Sequence, residues 1–425
     1  MPLPFLRLNS SPSRYISRVR PLTLVKRTSS ATAHPLQPPQ KPAHDEDGWP
    51  QLAFNQAIGP ENRYVVSRQL GRGVSAITWL AHDQQENSYV SLKVLNRYYT
   101  NLARYGPVWE LQALRRVTSP PSNRHCLRLV SNFTFSVEGG AGEHLCLVTP
   151  ILGGDLKSLL KKRGLRDGAA FPLPLAKRVL QHTLRGLAHA HSRGVIHTDL
   201  KPDNIFFDTH MSNADFDKLL AAEPPGPETP HEGPGSAQVS VPQPLPLPTL
   251  DEAMRKTFVV ADFGSAQPVV GHTVDEITPV SLRAPETIIG GPWNEKVDIW
   301  AFGCLVFQFV VGSCLFRYRP FPKLNLDEPN YHLYQMLCYT CEDFSGAQLA
   351  ASAFAEKFFD LTCNLKSDPH LVDYPWEKSL RGYKILEEGD VLSTGALMRR
   401  CLRLDPAQRA SAAELLSDPW FDGVG

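Results

Sequence analysis

In the stretch Val195-Ile-His-Thr-Asp-Leu-Lys-Pro-Asp-Asn-Ile205, two apolar, strand-like pairs enclose polar residues that would be costly to bury without work to do. Asp199 can accept a hydrogen bond from an incoming hydroxyl and orient it in line with a phosphate. Lys201 can neutralise charge that develops on that phosphate, and Asn204 offers an oxygen to a metal ion. His197 reads as a structural brace rather than a proton carrier. Downstream, Val259-Val-Ala-Asp262-Phe263-Gly264 places a carboxylate and a flexible glycine after a short apolar strand. Asp262 would be the second magnesium ligand, because magnesium favours a carboxylate plus substrate phosphates over an all-protein cage.

A second group lies upstream. Leu70-Gly71-Arg72-Gly73-Val74-Ser75-Ala76 joins two expected strands, the second continuing through Ile77 and Thr78. Glycines there let backbone N–H groups approach a phosphate chain with no Cβ in the way. Alone, such a Gly-x-Gly is more often a turn; its weight comes from a lysine and a glutamate further along the chain. Val90-Ser-Leu-Lys93 puts a cation on the next strand, and Glu110, on an intervening helix, is a carboxylate able to hold that ammonium in place.

These residues need a frame. Strands are expected at 64–70, 77–81 and 89–95, each bounded by Gly, Asp or Asn turn signals, which implies an antiparallel sheet. Leu111, Leu114 and Val117 recur at helical spacing within 109–117, so a single helix is expected to interrupt the strands. Beyond residue 153 the pattern is mainly helical, with candidates at 175–192, 297–311 and 395–402. The proline-dense segment at 209–253, containing Pro-Gln-Pro-Leu-Pro-Leu-Pro, reads as an exposed, disordered insertion, with a docking or regulatory segment as the alternative.

With 425 residues, 42% hydrophobic and 20% charged, the chain is of ordinary globular composition, and its net charge of +1 calls for neither nucleic acid nor an anionic membrane. Residues 1–44 carry seven Lys or Arg and no acid, leaving the remainder at −6 against the whole chain's +1. That leader, 1–45 in the domain division, is expected to be a disordered basic tail in a protein of the cytoplasm or nucleus; a cleaved mitochondrial presequence is the alternative. Eight scattered cysteines suit reduced thiols, and Cys338-Tyr-Thr-Cys341 without a second pair is weak evidence for zinc. The longest apolar run, 301–316, is interrupted by Gln308 and is shorter than the ~20 residues of a membrane span, so a buried core helix is expected.

In this order the motifs resemble the eukaryotic protein kinase family over about residues 63–421. The resemblance implies an α+β, two-lobed fold: a small N-lobe at 63–149, with an antiparallel sheet and one helix, and a large, mainly helical C-lobe at 153–421. It implies ATP and Mg2+ as cofactors, protein substrates, no direct nucleic-acid or membrane partner, and a monomer. Ala284-Pro285-Glu286 resembles the motif closing the activation segment, with Glu286 expected to pair with Arg409, and Asp298-Ile-Trp-Ala-Phe-Gly303 resembles the helix start that supports the catalytic loop. Lys201, two positions after Asp199, resembles the serine/threonine branch. By the same alignment Thr149 precedes the hinge, and Pro150, by its carbonyl, and Leu152, by its N–H, would face adenine. His-Thr-Asp, Trp79-Leu80-Ala81, His144-Leu-Cys-Leu-Val148 and Leu282-Arg283 resemble the serine/arginine-protein kinases, especially diverged fungal-type relatives.

The chain departs from the pattern at several points. Ala76 replaces the third glycine, Thr78 stands where an apolar residue covers adenine, and Thr198 replaces the arginine that clamps an activation-segment phosphate. Pro279 stands near the usual site of a threonine that braces the catalytic lysine. Arg317-Tyr-Arg-Pro-Phe-Pro-Lys323 brings three cations where carboxylates for an Arg/Ser-rich substrate are sought. Two non-enzymatic alternatives stand beside the kinase: a pseudokinase-type nucleotide-binding scaffold, which loss of Lys93, Asp199, Asn204 or Asp262 would have favoured, and an adaptor built on the leader and insertion.

Overall fold

The computed structural model describes residues 48–50, 52–136, 142–162, 170–224 and 242–424. The leader at 1–45 and the middle of the proline-rich segment fall outside them. A six-stranded antiparallel sheet opens the fold: β1 (Ala57–Ile58), β2 (Tyr64–Arg72), β3 (Ala76–Asp83), β4 (Ser88–Leu95), β5 (Ser131–Ser136) and β6 (Glu143–Thr149), in the order β1-β2-β3-β4-β6-β5. Alternation along the strands sends Val66, Ile77, Trp79, Leu92, Val94 and Val148 to one buried face, while Thr78 and Lys93 stand opposite each other in register.

Two helices, not one, interrupt the strands. α1 (Arg97–Tyr105) precedes α2 (Glu110–Thr118); its start is capped by Asn96, whose side chain accepts from the N–H of Tyr99, and its end by Gly106 at φ 112°. Both caps are readable in the sequence, but α1 is polar overall and only Thr100 in it is fully buried, so it gives little apolar signal. α2 buries Ala113, Leu114 and Val117 against Phe263 and Val260, which ties Glu110 to the floor of the cleft.

After β7 (Leu152–Asp155) and α3 (Leu156–Lys162), the long α4 (Leu173–Ser192) leads into β8 (Val195–Ile196) and β9 (Ile205–Asp208). α5 (Asn213–Ala222), α6 (Leu250–Ala253), β10 (Phe258–Val260), β11 (Gln267–Pro268) and α7 (Pro285–Ile288) come next along the chain. Strand order β10-β9-β7 and the β8-β11 pair hold the two motif loops side by side. The C-lobe is completed by α8 (Lys296–Val311), α9 (Glu328–Thr340), α10 (Gly346–Ala350), α11 (Ala355–Phe358), α12 (Trp376–Arg381), α13 (Glu388–Cys401) and α14 (Ala412–Leu415). α8 is apolar on nearly every face and lies in the core, as expected for the longest apolar run. A Cβ on Gly303 would come within 2.7 Å of Leu402 Cγ, so glycine lets α8 meet the end of α13. Among the described residues no helix is long and apolar enough to cross a membrane.

The insertion is not a uniformly exposed loop. Its flanks fold: α5 begins at a reciprocal capping box between Ser212 and Asp215, and Phe216 and Leu245 are buried against Leu80 of the sheet. Buried Arg68 donates to the Gln243 carbonyl and pairs with Glu223 at 2.9 Å, and Tyr89 donates to Asp217 at 2.7 Å. Apolar and polar contacts thus strap the segment across the N-lobe. The part at 225–241 lies outside the described residues.

Candidate active site

The turn after β8 is built on one buried carboxylate. Asp298, at the start of α8, accepts the N–H groups of His197 and Thr198, each at 2.8 Å, and contacts His191 Nε2 at 2.8 Å. His197 Nδ1 accepts from the N–H of Asp199 at 3.2 Å and its Nε2 lies 2.9 Å from the Ala261 carbonyl, so it braces the loop as expected. Asp199 is thereby aimed out of a rigid turn. Lys201 Nζ lies 2.7 Å from Asp199 Oδ2, and Asn204 Nδ2 donates to the same oxygen at 2.9 Å. With its nitrogen so engaged, the amide oxygen of Asn204 is the atom left for a ligand.

Across the cleft, Lys93 Nζ bridges Glu110 Oε1 at 2.6 Å and Asp262 Oδ1 at 2.8 Å. Burial alone would push the Lys93 ammonium down, but Asp262 and Glu110 outweigh it and hold it above the usual lysine range. In return the Lys93 ammonium holds the Asp262 carboxyl down at about 2. Asp262 sits in the left-handed region, φ 59°, uncommon for a non-glycine residue and typical of a functional bend. The two groups of residues are joined directly, because the N–H of Ala261, next to Asp262, donates to the Asn204 carbonyl at 2.9 Å. Lys93, Asn204, Asp262 and Asp199 therefore share one cleft.

The glycine-bearing turn between β2 and β3 is held from behind: Gly73 donates to the Ala76 carbonyl and Asn96 to that of Ser75, both at 2.9 Å. A Cβ at Gly71 would meet no protein atom, so the space above it is open to a ligand, and Val74 is exposed at the tip. Not every residue singled out lies on this opening. The Ile77 side chain is buried on the other face of the sheet, and Leu70 packs with Phe216 and Leu245. Pro150 follows β6 and Leu152 begins β7, in register with Asp208.

A cavity of about 470 Å³ beside the turn after β8 is lined by Asp199, Lys201, Gly264, Thr278, Pro279 and Arg283 among others. Pro279 offers no hydroxyl to Lys201, and the neighbouring Thr278 donates its own to the Ile277 carbonyl at 2.6 Å. Glu286 and Arg409 form the expected pair as two parallel bonds of 2.6 Å. Sequence reading missed three contacts here: Thr198 with Ser265, Gln267 with Thr273, and Lys157 with Asp203 at 2.6 Å. None has a local signal, since each pairs segments distant in the chain or ordinary polar residues. Cys338 is buried, its thiol pushed by burial to about 11, and among the described residues no His, Cys, Asp or Glu cluster is set to hold a metal by itself.

The sequence matches the protein kinase domain family over residues 64–230 and 249–421, and the chain belongs to that family. It is 27% identical over 389 residues to the serine/threonine-protein kinase SRPK of Physarum polycephalum, covering 86% of this chain and 87% of that protein. A serine/threonine protein kinase of Aspergillus fumigatus is 29% identical over 364 residues, with 85% and 84% covered. The serine/threonine-protein kinase AFC1 of Arabidopsis thaliana is 25% identical over 403 residues, with 90% and 75% covered. The chain is a serine/threonine-type protein kinase similar to the SRPK group, and nothing favours the scaffold reading.

Proposed function

We propose that the cleft binds ATP with Mg2+ and directs transfer of the γ-phosphate to serine or threonine hydroxyls of protein substrates. The observation that carries this reading is the shared cleft of Lys93, Asp199, Asn204 and Asp262, with its two halves joined through Ala261. Asn204 and Asp262 would hold the metal: each turns one polar atom inward to Asp199 or Lys93 and keeps an oxygen for a hard cation. When bound, magnesium and the triphosphate supply the transferable phosphoryl group and the charge that bridges it. Lys93, fixed by Glu110, would pair with phosphate oxygens, and the N–H groups of Val74 and Ser75, at the tip between β2 and β3, would be donors to them. Asp199 accepts the hydrogen bond of the substrate hydroxyl and aligns it, while Lys201 stands beside it to balance negative charge.

The resemblance to serine/arginine-protein kinases, and a relative named SRPK, support Arg/Ser-rich protein substrates. Glu276, 88% exposed at its side chain, lines the cavity that holds Asp199 and is an acid a basic peptide would meet near the phosphoacceptor.

The test is labelled-phosphate transfer from ATP with magnesium to an Arg-Ser peptide and to a matched peptide with the arginines replaced. Asp199→Ala is expected to lower turnover by about 10²-fold or more, and Lys93→Met to act similarly, with unchanged melting temperature. Wild-type turnover in a folded Asp199→Ala protein overturns the site assignment, and indifference to arginine overturns the substrate class alone.

A further inference from the structure

The loop at 317–323 comes after α8 and carries Arg317, Tyr318, Arg319 and Lys323. It is held rather than loose. The N–H of Arg317 donates to Gln335 Oε1 at 3.0 Å, and Gln335 Nε2 donates back to the Arg317 carbonyl at 2.8 Å, from a buried position on α9. Phe321 stacks on Tyr331 with ring centroids 4.9 Å apart, and backbone bonds between Phe321 and Leu326 close the turn. Pro320 and Pro322 fix two more φ angles.

On this frame the guanidinium groups of Arg317 and Arg319 make no ion pair among the described residues. The nearby Asp327 is engaged elsewhere, accepting from the backbone and side-chain nitrogens of Asn330 at 3.0 and 2.8 Å as the cap of α9. Tyr318 is 43% exposed and lies edge-on to the buried His332. Both ring nitrogens of His332 lack a partner, and burial, with the charge of Arg283 close by, holds it neutral at about 3. Arg283 in turn lines the cavity that contains Asp199. Arg283 is itself paired with Glu276 at 3.7 Å, so the positive charge without a carboxylate partner among the described residues is that of Arg317 and Arg319, on either side of Tyr318.

Uncompensated like charges on a rigid surface cost self-repulsion unless an anion meets them. Guanidinium forks match carboxylates in two-point fashion, and arginine with tyrosine is the pairing enriched where binding energy concentrates. We propose that Arg317 and Arg319, with Tyr318 between them, dock an acidic segment of the protein substrate apart from its phosphoacceptor. This rests on the kinase reading above. It assigns the enzyme a two-part substrate: a hydroxyl at Asp199 and a run of Asp or Glu on the neighbouring loop, and the preordered frame limits what binding must immobilise.

The experiment compares a short phosphoacceptor peptide with the same peptide joined by a flexible linker to a Glu-rich segment. The extension is expected to lower KM about tenfold, the equivalent of 1.4 kcal/mol of added binding. The double variant Arg317→Glu with Arg319→Glu is expected to lose that gain while keeping turnover and KM for the short peptide. Equal KM for both peptides in the unmodified enzyme, a gain that survives the double variant, or a larger gain from an Arg-rich extension each overturns the proposal. A gain with phosphoserine but none with glutamate overturns the carboxylate assignment. Fluorescence anisotropy of the labelled Glu-rich segment reads docking without turnover, so an enzyme inactive on both peptides that still binds the segment overturns the kinase reading and leaves the docking surface standing; absence of binding overturns the surface.

Discussion

The hydroxyl of Thr198 donates to the carbonyl of Ser265 at 2.7 Å, fastening the catalytic turn to the start of the activation segment with no charge involved. Thr198 is fully buried and takes φ 61°, so its hydroxyl is held in place by the backbone bonds to Asp298. An activation-segment phosphate would find no cation at this position, where a hydroxyl cannot neutralise it as arginine does. Replacing Thr273, Thr278 and Ser281 together by alanine is expected to leave phosphate transfer within about threefold, the span of surface substitutions worth ±0.5 kcal/mol. Thr198→Val, which leaves the Ser265 carbonyl only the longer bond from Gln267 Nε2 at 3.4 Å, is expected to cost about 1 kcal/mol in denaturant unfolding and to lower activity. A triple variant that folds but is inactive would show the enzyme to depend on phosphorylation.

Glu286 and Arg409 are both buried, and Arg409 also lies 5.0 Å over the ring of Trp300. Removing one partner leaves an uncompensated buried charge. Arg409→Ala is expected to lower stability by about 3–5 kcal/mol in urea unfolding, while the apolar double variant Glu286→Leu with Arg409→Met loses less. Equal losses would mean that packing, not charge, dominates the site.

The peptide of Phe258 is gripped by two imidazoles: its N–H donates to His182 Nδ1 and its carbonyl meets His125 Nδ1, both at 3.1 Å, with the rings 4.2 Å apart. Burial, aided by neighbouring charges, pushes His125 down to about 4 and His182 to about 2. Below the ordinary value of 6.5 the unfolded chain takes protons that the folded one refuses, so this contribution is whole above pH 6.5 and is lost on acidification. For His125 the loss runs from about pH 6.5 to about 4, and for His182 it continues lower. Each histidine is expected to add about 1.4 kcal/mol per pH unit to the slope of unfolding free energy between about pH 6 and 4.5. Urea titrations of His182→Asn at several pH values should show a shallower slope, and an unchanged slope would exclude this source.

Arg72, in the glycine-bearing turn, lies with its guanidinium 4.2 Å from the ring centroid of Trp49, whose segment is pinned by the bond from Arg97 N–H to the Gly48 carbonyl. A cation over an indole at an exposed site is worth ~0.5–1 kcal/mol. Trp49→Ala is therefore expected to raise KM for ATP about two- to fivefold with little change in kcat, and Trp49→Phe to restore most of it. A kcat effect without a KM effect would place Trp49 outside nucleotide binding.

Lys93, Glu110, Asp199, Asn204 and Asp262 could be singled out as candidates before any fold was known, because the chemistry proposed for them is carried by residue type and by order along the chain. The strands that hold them were identifiable for a related reason: alternation and turn residues are short-range signals, and β2, β3 and β4 begin and end within two residues of their expected bounds. The helix α1 was equally local, with caps at Asn96 and Gly106, but its polar composition overall, with only Thr100 fully buried, weakens the apolar signal.

The insertion shows where local information ends. Phe216 and Leu245 sit among prolines and charges that read as solvent-exposed, and they are buried only because Leu80, more than a hundred residues earlier, presents an apolar face to them. Arg68 and Glu223 are likewise unremarkable singly and become a pair at 2.9 Å once the chain folds back. The amino-acid order alone determined which chemistry this protein carries and which strands and helices carry it. Tertiary structure alone decided which side chains meet, because burial and charge pairing depend on neighbours in space that no local periodicity records.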